Sequence, residues 1–395
     1  MLVLKHEMRP SPTADEQARQ NFVMGLRSFV LNDLASDMRH AYETRIAPAF
    51  ARTHQRPPAT GSEVHRAIRG DAMFALYSAL RVNAQRLVWD SVIPVVARER
   101  PRLESIAARA SGGDGPALRD DFALPSNVTA VDVHLLPGSY GRSDGRHDLT
   151  TGAIYDQGLA VFSFGLMGDN LDDIGSSIAR FIAGRYPDFA PRDILDVGCT
   201  IGHNTAPWAR HYPYATVTAI DVAAPGLIYG DARAKLQGAG NIRFAQMDAT
   251  KLDYPDASFD MVFSSMFLHE LSLKQIDAVM REARRVLRPG GLMLHMELPP
   301  NPQMAAYDAF YLDWDAYYNE EPFSKAFRDQ EPRKLCAKAG FDPANYVQFV
   351  VPSLGFFGAQ AVDDAAAMQD ETVLDDNTGR LADGVRWFCF GAWQS

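Results

Sequence analysis

Only three cysteines, Cys199, Cys336 and Cys389, occur in 395 residues. They form neither a disulfide framework nor a metal-binding spacing, so a reducing compartment, the cytoplasm, is expected. No run of about 18 apolar residues exists, and no membrane span is expected. Lys5 and Arg9 are not followed by an apolar stretch, so no secretory signal is expected. An excess of positive charge is also missing. Lys and Arg number 39 against 49 Asp and Glu, a net charge of −10, which argues against nucleic acid as the main partner. Internal repeats and low-complexity tracts are absent, as is the phosphate-loop pattern ending in Gly-Lys-Ser/Thr.

The charge that is present is uneven. Residues 1–130 carry 17 basic and 14 acidic side chains, and the remainder 22 and 35. A chain of this length is expected to divide in two. Phe22, Leu26, Phe29, Val30, Leu34, Met38 and Tyr42 recur at helical spacing after a loose tail at 1–15. Residues 53–62 break that helix. Glu63 to Arg98 is helical again, with Pro94 expected to kink or end it, and 111–116 reads as a linker. These features predict a mostly helical N-terminal domain over 1–125, whose helices can form a homodimer contact or part of an acceptor pocket. Residues 126–168 read as a connecting segment in which Val128 to Leu136 alternates like a strand. A helix is predicted from about Leu171 to Tyr186, capped by Asp169 or Asn170, opening a second domain over 169–395.

The most informative stretch is Asp193 to Gly202, Asp-Ile-Leu-Asp-Val-Gly-Cys-Thr-Ile-Gly. It reads as a buried strand, a glycine turn and a helix start, a unit that brings backbone N–H groups to a ligand at the carboxyl end of a parallel strand. The dinucleotide fingerprint needs glycines where Gly198, Thr200 and His203 stand, so it fails at two of three. A carboxylate at Asp196 suits a cationic ligand carrying a ribose better than a pyrophosphate. Further along, Ala215 to Ile220 is a β-branched run ending at Asp221, placed to accept from ribose hydroxyls. Ile242 to Phe244 leads to Asp248-Ala249. Phe259 to Ser265 and then Phe267-Leu268-His269-Glu270-Leu271 read as a fourth strand and its loop. Arg285 to Gly291 ends a helix and turns into an apolar strand, Leu292 to Leu298.

Asp196-Val197-Gly198-Cys199-Thr200-Ile201-Gly202 resembles the first motif of class I S-adenosylmethionine-dependent methyltransferases, with Thr200 where that family usually has glycine. With the ordered features that follow, residues 170–298 resemble small-molecule methyltransferases of the ubiquinone-biosynthesis type. The resemblance implies a doubly wound, Rossmann-like seven-stranded α/β sheet whose last strand is antiparallel. It also implies S-adenosyl-L-methionine as cofactor, S-adenosyl-L-homocysteine as product, and methyl transfer to O, N or C of a small apolar or aromatic acceptor. Asp196, Gly198, Cys199, Thr200, Gly202, Asp221, Val222, Asp248, Ala249 and Ser264 are the implied cofactor residues. Tyr155 is implied to cover the methionine end, where an aromatic face attracts a sulfonium.

His269, Glu270 and Glu297 lie at the carboxyl edge of the sheet and are the candidates for base or acceptor positioning. Each has a structural alternative, as a helix-start or strand-end residue. His203 reads as a helix-start residue and His295 as a core histidine. The pairs Asp363-Asp364 and Asp375-Asp376 read as solvated loops, and no metal is expected. Insertions are predicted at 299–330, rich in aromatics that serve as a lid or as packing, and at 354–383. A non-methylating enzyme on the same fold (a decarboxylase or cyclase), or a cofactor-binding sensor or scaffold, remain the alternatives.

Overall fold

The computed structural model describes residues 6–112, 114–145, 147–368 and 373–395. Positions 1–5 of the predicted tail, Gly113 of the linker and 369–372 of the second insertion lie outside the described residues. Helix α1 (Ala14–Phe29) starts earlier than the apolar repeat, because Thr13 and Glu16 cap each other reciprocally. It continues through a π-helical turn, α2 (Ala35–Ala41), a second π-helical turn and α3 (Ala47–His54), and stops at Gln55 with φ +57°. Helix α4 (Gly61–Ile68) and the 40-residue α5 (Ala72–Ser111) follow. The expectation that Pro94 ends or kinks the helix is corrected in part: α5 runs through Pro94 and Pro101 as one helix. Val92, Val95, Val96, Leu103 and Ile106 are all buried, and that packing outweighs the missing backbone donors.

The strand expected at Val128 to Leu136 is absent. Two 3-10 turns (Ser126–Val128 and Val133–Leu135) stand there, with His134 at φ +57° and Leu135 at φ +56°. A helix not expected from the sequence, α6 (Thr150–Phe162), comes next, then α7 (Asp173–Arg185). Gly152 and Gly158 lower the helix propensity of α6 but are required by packing. A Cβ at Gly158 would lie 2.3 Å from the Trp89 ring, and one at Gly152 2.6 Å from Tyr229 Cβ.

The sheet is then laid down as β1 (Asp193–Val197), α8 (Thr205–His211), β2 (Thr216–Asp221), α9 (Ala224–Leu236), β3 (Ile242–Gln246), β4 (Phe259–Ser265), α10 (Leu273–Val286) and β5 (Leu287–Glu297). Helices α11 (Ala306–Tyr318), α12 (Ser324–Arg328) and α13 (Pro332–Lys338) precede β6 (Tyr346–Pro352), and α14 (Leu354–Phe357) and α15 (Ala359–Ala367) precede β7 (Arg386–Trp393). Strand order is β3-β2-β1-β4-β5-β7-β6, with β7 antiparallel to both neighbours. This is the seven-stranded α/β sheet read from the sequence. Alternation along the strands feeds two cores. Ile194, Met261, Phe263, Leu292 and Leu294 pack toward α7 and α8, whereas Leu195, Val197, Val262 and Met293 pack toward α10 and α13. No helix among the described residues is long and apolar enough to cross a membrane.

Gly391 of β7 lies tight against the β5 backbone. A Cβ there would sit 1.9 Å from the Met293 carbonyl oxygen, and neither strand can yield without losing its ladder. Gly391→Ala is therefore expected to cost about 3 kcal/mol, read as a lower denaturant midpoint. An unchanged midpoint would contradict this register.

The aromatic insertion packs rather than floats. Tyr307, Phe310, Tyr311 and Leu312 of α11 share a core with Val30, Leu34, Val64, Ile68 and Tyr77 of the N-terminal helices. Arg81 on α5 is 1% exposed and grips Asp315 and Asn319 at the end of α11. The N-terminal helices and the insertion thus close over one end of the sheet.

Candidate active site

A cleft enclosing about 2060 Å³, its open mouth included, runs along the carboxyl ends of β1, β2 and β4 and under α1, α5 and α11. At its near end the chain leaves β1 through Gly198 (φ +73°) and Thr200 (φ +53°). A Cβ at Gly198 would lie 2.3 Å from the Phe267 ring, so glycine is needed for space as well as for backbone angle. Thr200 holds a left-handed conformation that is costly for a β-branched residue. Its N–H donates to Asp221 Oδ2 (2.9 Å), and Asp221 Oδ1 accepts from the Ala223 N–H (2.9 Å). Asp221 thereby ties the first loop to the second, and burial pushes its pKa up against these bonds. Asp196 is 2% exposed and accepts from the Thr205 hydroxyl. Burial raises its pKa to about 7, with Asp221 adding to the rise and Thr205 opposing it. Among the described residues neither carboxylate is ion-paired to Lys or Arg. Tyr155 on α6 closes this end, its ring 5.7 Å from His203 and 5.8 Å from Tyr140. Burial lowers the His203 pKa to about 3, so that ring is neutral.

The far end gathers ionisable groups from four separate segments. His269, in the loop after β4, has Nδ1 2.7 Å from Glu297 Oε2 at the end of β5. Glu297 is fully buried, and its other oxygen accepts from the Phe267 and Leu268 N–H groups at 2.8 and 2.5 Å. His134 lies with Nε2 3.3 Å from Glu270 Oε1 and Nδ1 3.1 Å from Glu321 Oε1. His269 Nε2 is 3.7 Å from the same Glu270 oxygen. Burial disfavours the charged form of both rings, but the carboxylates outweigh it. Glu297 holds His269 at about 9, and Glu321 with Glu270 hold His134 at about 10. Arg27, 1% exposed, also lines the cleft. It donates to Gln85 and to the Phe162 carbonyl, while its Nη2 has no hydrogen-bond partner. Burial, then the nearby Arg81, pull its pKa well down.

A family model for a methyltransferase domain matches residues 194–291. The ubiquinone/menaquinone biosynthesis C-methyltransferase UbiE of Pseudomonas putida is 34% identical over 171 residues, covering 39% of this chain and 66% of the relative. The chain belongs to the class I S-adenosylmethionine-dependent methyltransferases. A fatty-acid O-methyltransferase of Mycolicibacterium smegmatis is 33% identical over 113 residues, 29% of this chain and 39% of the relative. The Haemonchus contortus phosphoethanolamine N-methyltransferase 2 in complex with S-adenosyl-L-methionine aligns with a TM-score of 0.41 at 18% identity, over 65% of this chain and 61% of that one.

The cleft brings together Tyr155, Asp196, Gly198, Cys199, Thr200, Asp221, Val222, Asp248 and Ala249, with His269 and Glu270 at the far end. Asp248 also caps its own turn, accepting from the Thr250 N–H at 2.8 Å. Three of the residues singled out in the sequence do not line the cleft. Ser264 is fully buried and bonds His295 Nδ1 at 2.7 Å inside the sheet, so its neighbour Ser265 lines the cleft instead. Alternation along β4 explains the swap. Gly202 does not line the cleft; with φ +70° it closes the turn against Phe244. Glu297 lies behind His269 and Phe267, bonding the His269 ring at 2.7 Å and the Phe267 N–H at 2.8 Å. His295 is the core histidine expected, its pKa lowered to about 3 by burial. His134, Glu321 and Arg27 were not singled out in the sequence. They lie 135, 52 and 242 positions from His269 in sequence, beyond any local motif.

Proposed function

We propose that this chain transfers the methyl group of S-adenosylmethionine to a small acceptor held between the two ends of the cleft. The observation that carries this is the continuity of one cleft from the Asp196 and Asp221 carboxylates to the His134, His269 and Glu270 group. The near end fits the cofactor: the buried Asp196 and part-buried Asp221, without a Lys or Arg partner among the described residues, suit a cation bearing a ribose. Asp221 would take the ribose hydroxyls, Asp248 the adenine edge and Tyr155 the sulfonium side. The acceptor atom's lone pair forms the bond to the methyl carbon while the S–CH3 bond breaks, its electron pair staying on sulfur to leave S-adenosylhomocysteine. Any acceptor proton passes to a group at the far end. The residues here supply proximity, orientation and exclusion of water.

The acceptor end is lined by Leu31, Trp89, Leu159 and Phe162, with the free Arg27 Nη2 among them. That supports an apolar or aromatic body with one anionic or carbonyl oxygen. The decisive assay is release of S-adenosylhomocysteine over a panel of aromatic and aliphatic acids and phenols. Acceptor-dependent release is expected. Tight S-adenosylmethionine binding with no release across the panel would favour a sensor.

Asp196 gives a pH signature. Its folded pKa is raised, so without ligand the folded state holds a proton that the unfolded state has lost between about 4 and 7. This contribution to stability falls as pH rises through that window. A cation at the near end favours the ionised form. Cofactor binding is therefore expected to release a proton near pH 7 and to tighten by up to about tenfold from pH 6 to 8. Calorimetry in two buffers of different ionisation heat checks this, and equal heats would contradict it.

A further inference from the structure

Three donor atoms at the far end converge in an arrangement that an ion-pair network alone does not explain. One donor atom from each of His134, His269 and Glu270 lies within 4.8 Å of the other two, and both rings turn Nε2 toward Glu270. Both ring nitrogens approach the same carboxylate oxygen, at 3.3 and 3.7 Å. Glu270 Oε1 is nonetheless buried without a hydrogen bond. Donors bound side by side at about 2.1 Å from one ion stand about 3.0–3.4 Å apart, so a small contraction closes the set.

The outer contacts are equally specific. His269 Nδ1 hydrogen-bonds the buried Glu297 at 2.7 Å, and His134 Nδ1 faces the buried Glu321 at 3.1 Å without hydrogen-bond geometry. Histidines that bind metals through Nε2 are oriented in this way. Among the described residues, none of Glu270, Glu297 and Glu321 is ion-paired to Lys or Arg, so three carboxylates share one corner with only two imidazoles as cations. All three inner residues line the cleft.

We propose that His134, His269 and Glu270 form a two-histidine, one-carboxylate site for a divalent transition-metal ion, with its open positions facing the acceptor. The donor set suits ions that accept nitrogen and oxygen ligands, and it leaves room for oxygens of the acceptor. In the methyl transfer proposed above, on which this role rests, the ion fixes an acceptor bearing a carboxylate, phenol or enol oxygen. It would also lower the pKa of that oxygen, so that its proton passes to solvent through the open mouth of the cleft before the methyl carbon arrives. Glu297 and Glu321 are positioning residues.

The test uses tag-free full-length protein, treated with chelator and titrated with Co(II). One equivalent is expected, with a visible d–d band. Glu270→Gln and His134→Gln are expected to weaken Co(II) binding by at least about tenfold, while S-adenosylmethionine affinity, measured in parallel by calorimetry, stays within about twofold. Where a variant does not fold, anomalous diffraction at the cobalt edge from wild-type crystals decides, with the ion expected about 2.1 Å from both Nε2 atoms. Wild-type protein that binds S-adenosylmethionine but takes up no stoichiometric Co(II) overturns the metal site and leaves the methyl-transfer reading intact. Co(II) binding unchanged in both folded variants, or cobalt located elsewhere, also overturns it. Loss of S-adenosylmethionine binding in the wild type would instead remove the reading on which the ion's role depends.

Discussion

Asp221→Ala is expected to weaken S-adenosylmethionine binding by about 100-fold or more with the fold retained. The carboxylate sits at the end of β2, and two backbone N–H groups already fix its orientation, from Thr200 and from Ala223. Its remaining acceptor capacity faces the cleft, where paired ribose hydroxyls make charge-assisted bonds worth about 1.5–3 kcal/mol each. Removing it loses those bonds and also frees the Thr200 N–H, which relaxes a loop held at φ +53°. Calorimetry measures the affinity and far-UV circular dichroism the fold. A change under about fivefold would mean that the sugar is held elsewhere.

The second large effect is on stability. Glu297 is fully buried and serves three donors at once: His269 Nδ1 and the Phe267 and Leu268 N–H groups. Glu297→Ala strands all of them away from water. Removing one partner of a buried pair costs about 3–5 kcal/mol, and at about 2–4 °C per kcal/mol for a domain of this size the melting temperature should fall by roughly 10 °C. Glu297→Gln keeps an acceptor for the backbone and should lose clearly less. Equal losses in the two variants would show that the pairing with His269, and not the backbone bonds, sets the cost. Calorimetric melting separates these outcomes.

What the sequence made legible is local. The strand, turn and helix around Gly198, the acid at the end of β2 and the loop after β4 each span fewer than twenty residues. Their chemistry is carried by neighbours in the chain, so period and punctuation reveal them. The antiparallel position of β7 was legible through the family resemblance rather than through the residues themselves. Helix α6 was hidden because Gly152 and Gly158 look like breakers, whereas the structure uses them for close approach to Tyr229 and Trp89. The segment holding His134 looked like a strand because Val128 to Leu136 alternates, but no strand among the described residues pairs with it. Its two 3-10 turns instead expose the His134 carbonyl to Gln85 and Trp89, which both donate to it, at 3.0 and 2.8 Å. Those bonds aim the ring at Glu270 and Glu321. A site assembled from residues 134, 269, 270 and 321 is a product of tertiary packing, and no spacing rule reports it.

A crystal structure of the chain with S-adenosylhomocysteine tests the central claim most directly. The adenosine should lie beyond Gly198, with both ribose hydroxyls about 2.7 Å from the Asp221 carboxylate and the sulfur turned toward His269. Adenosine bound away from Asp221, or a cleft beside Gly198 closed by the chain's own side chains, would contradict the account.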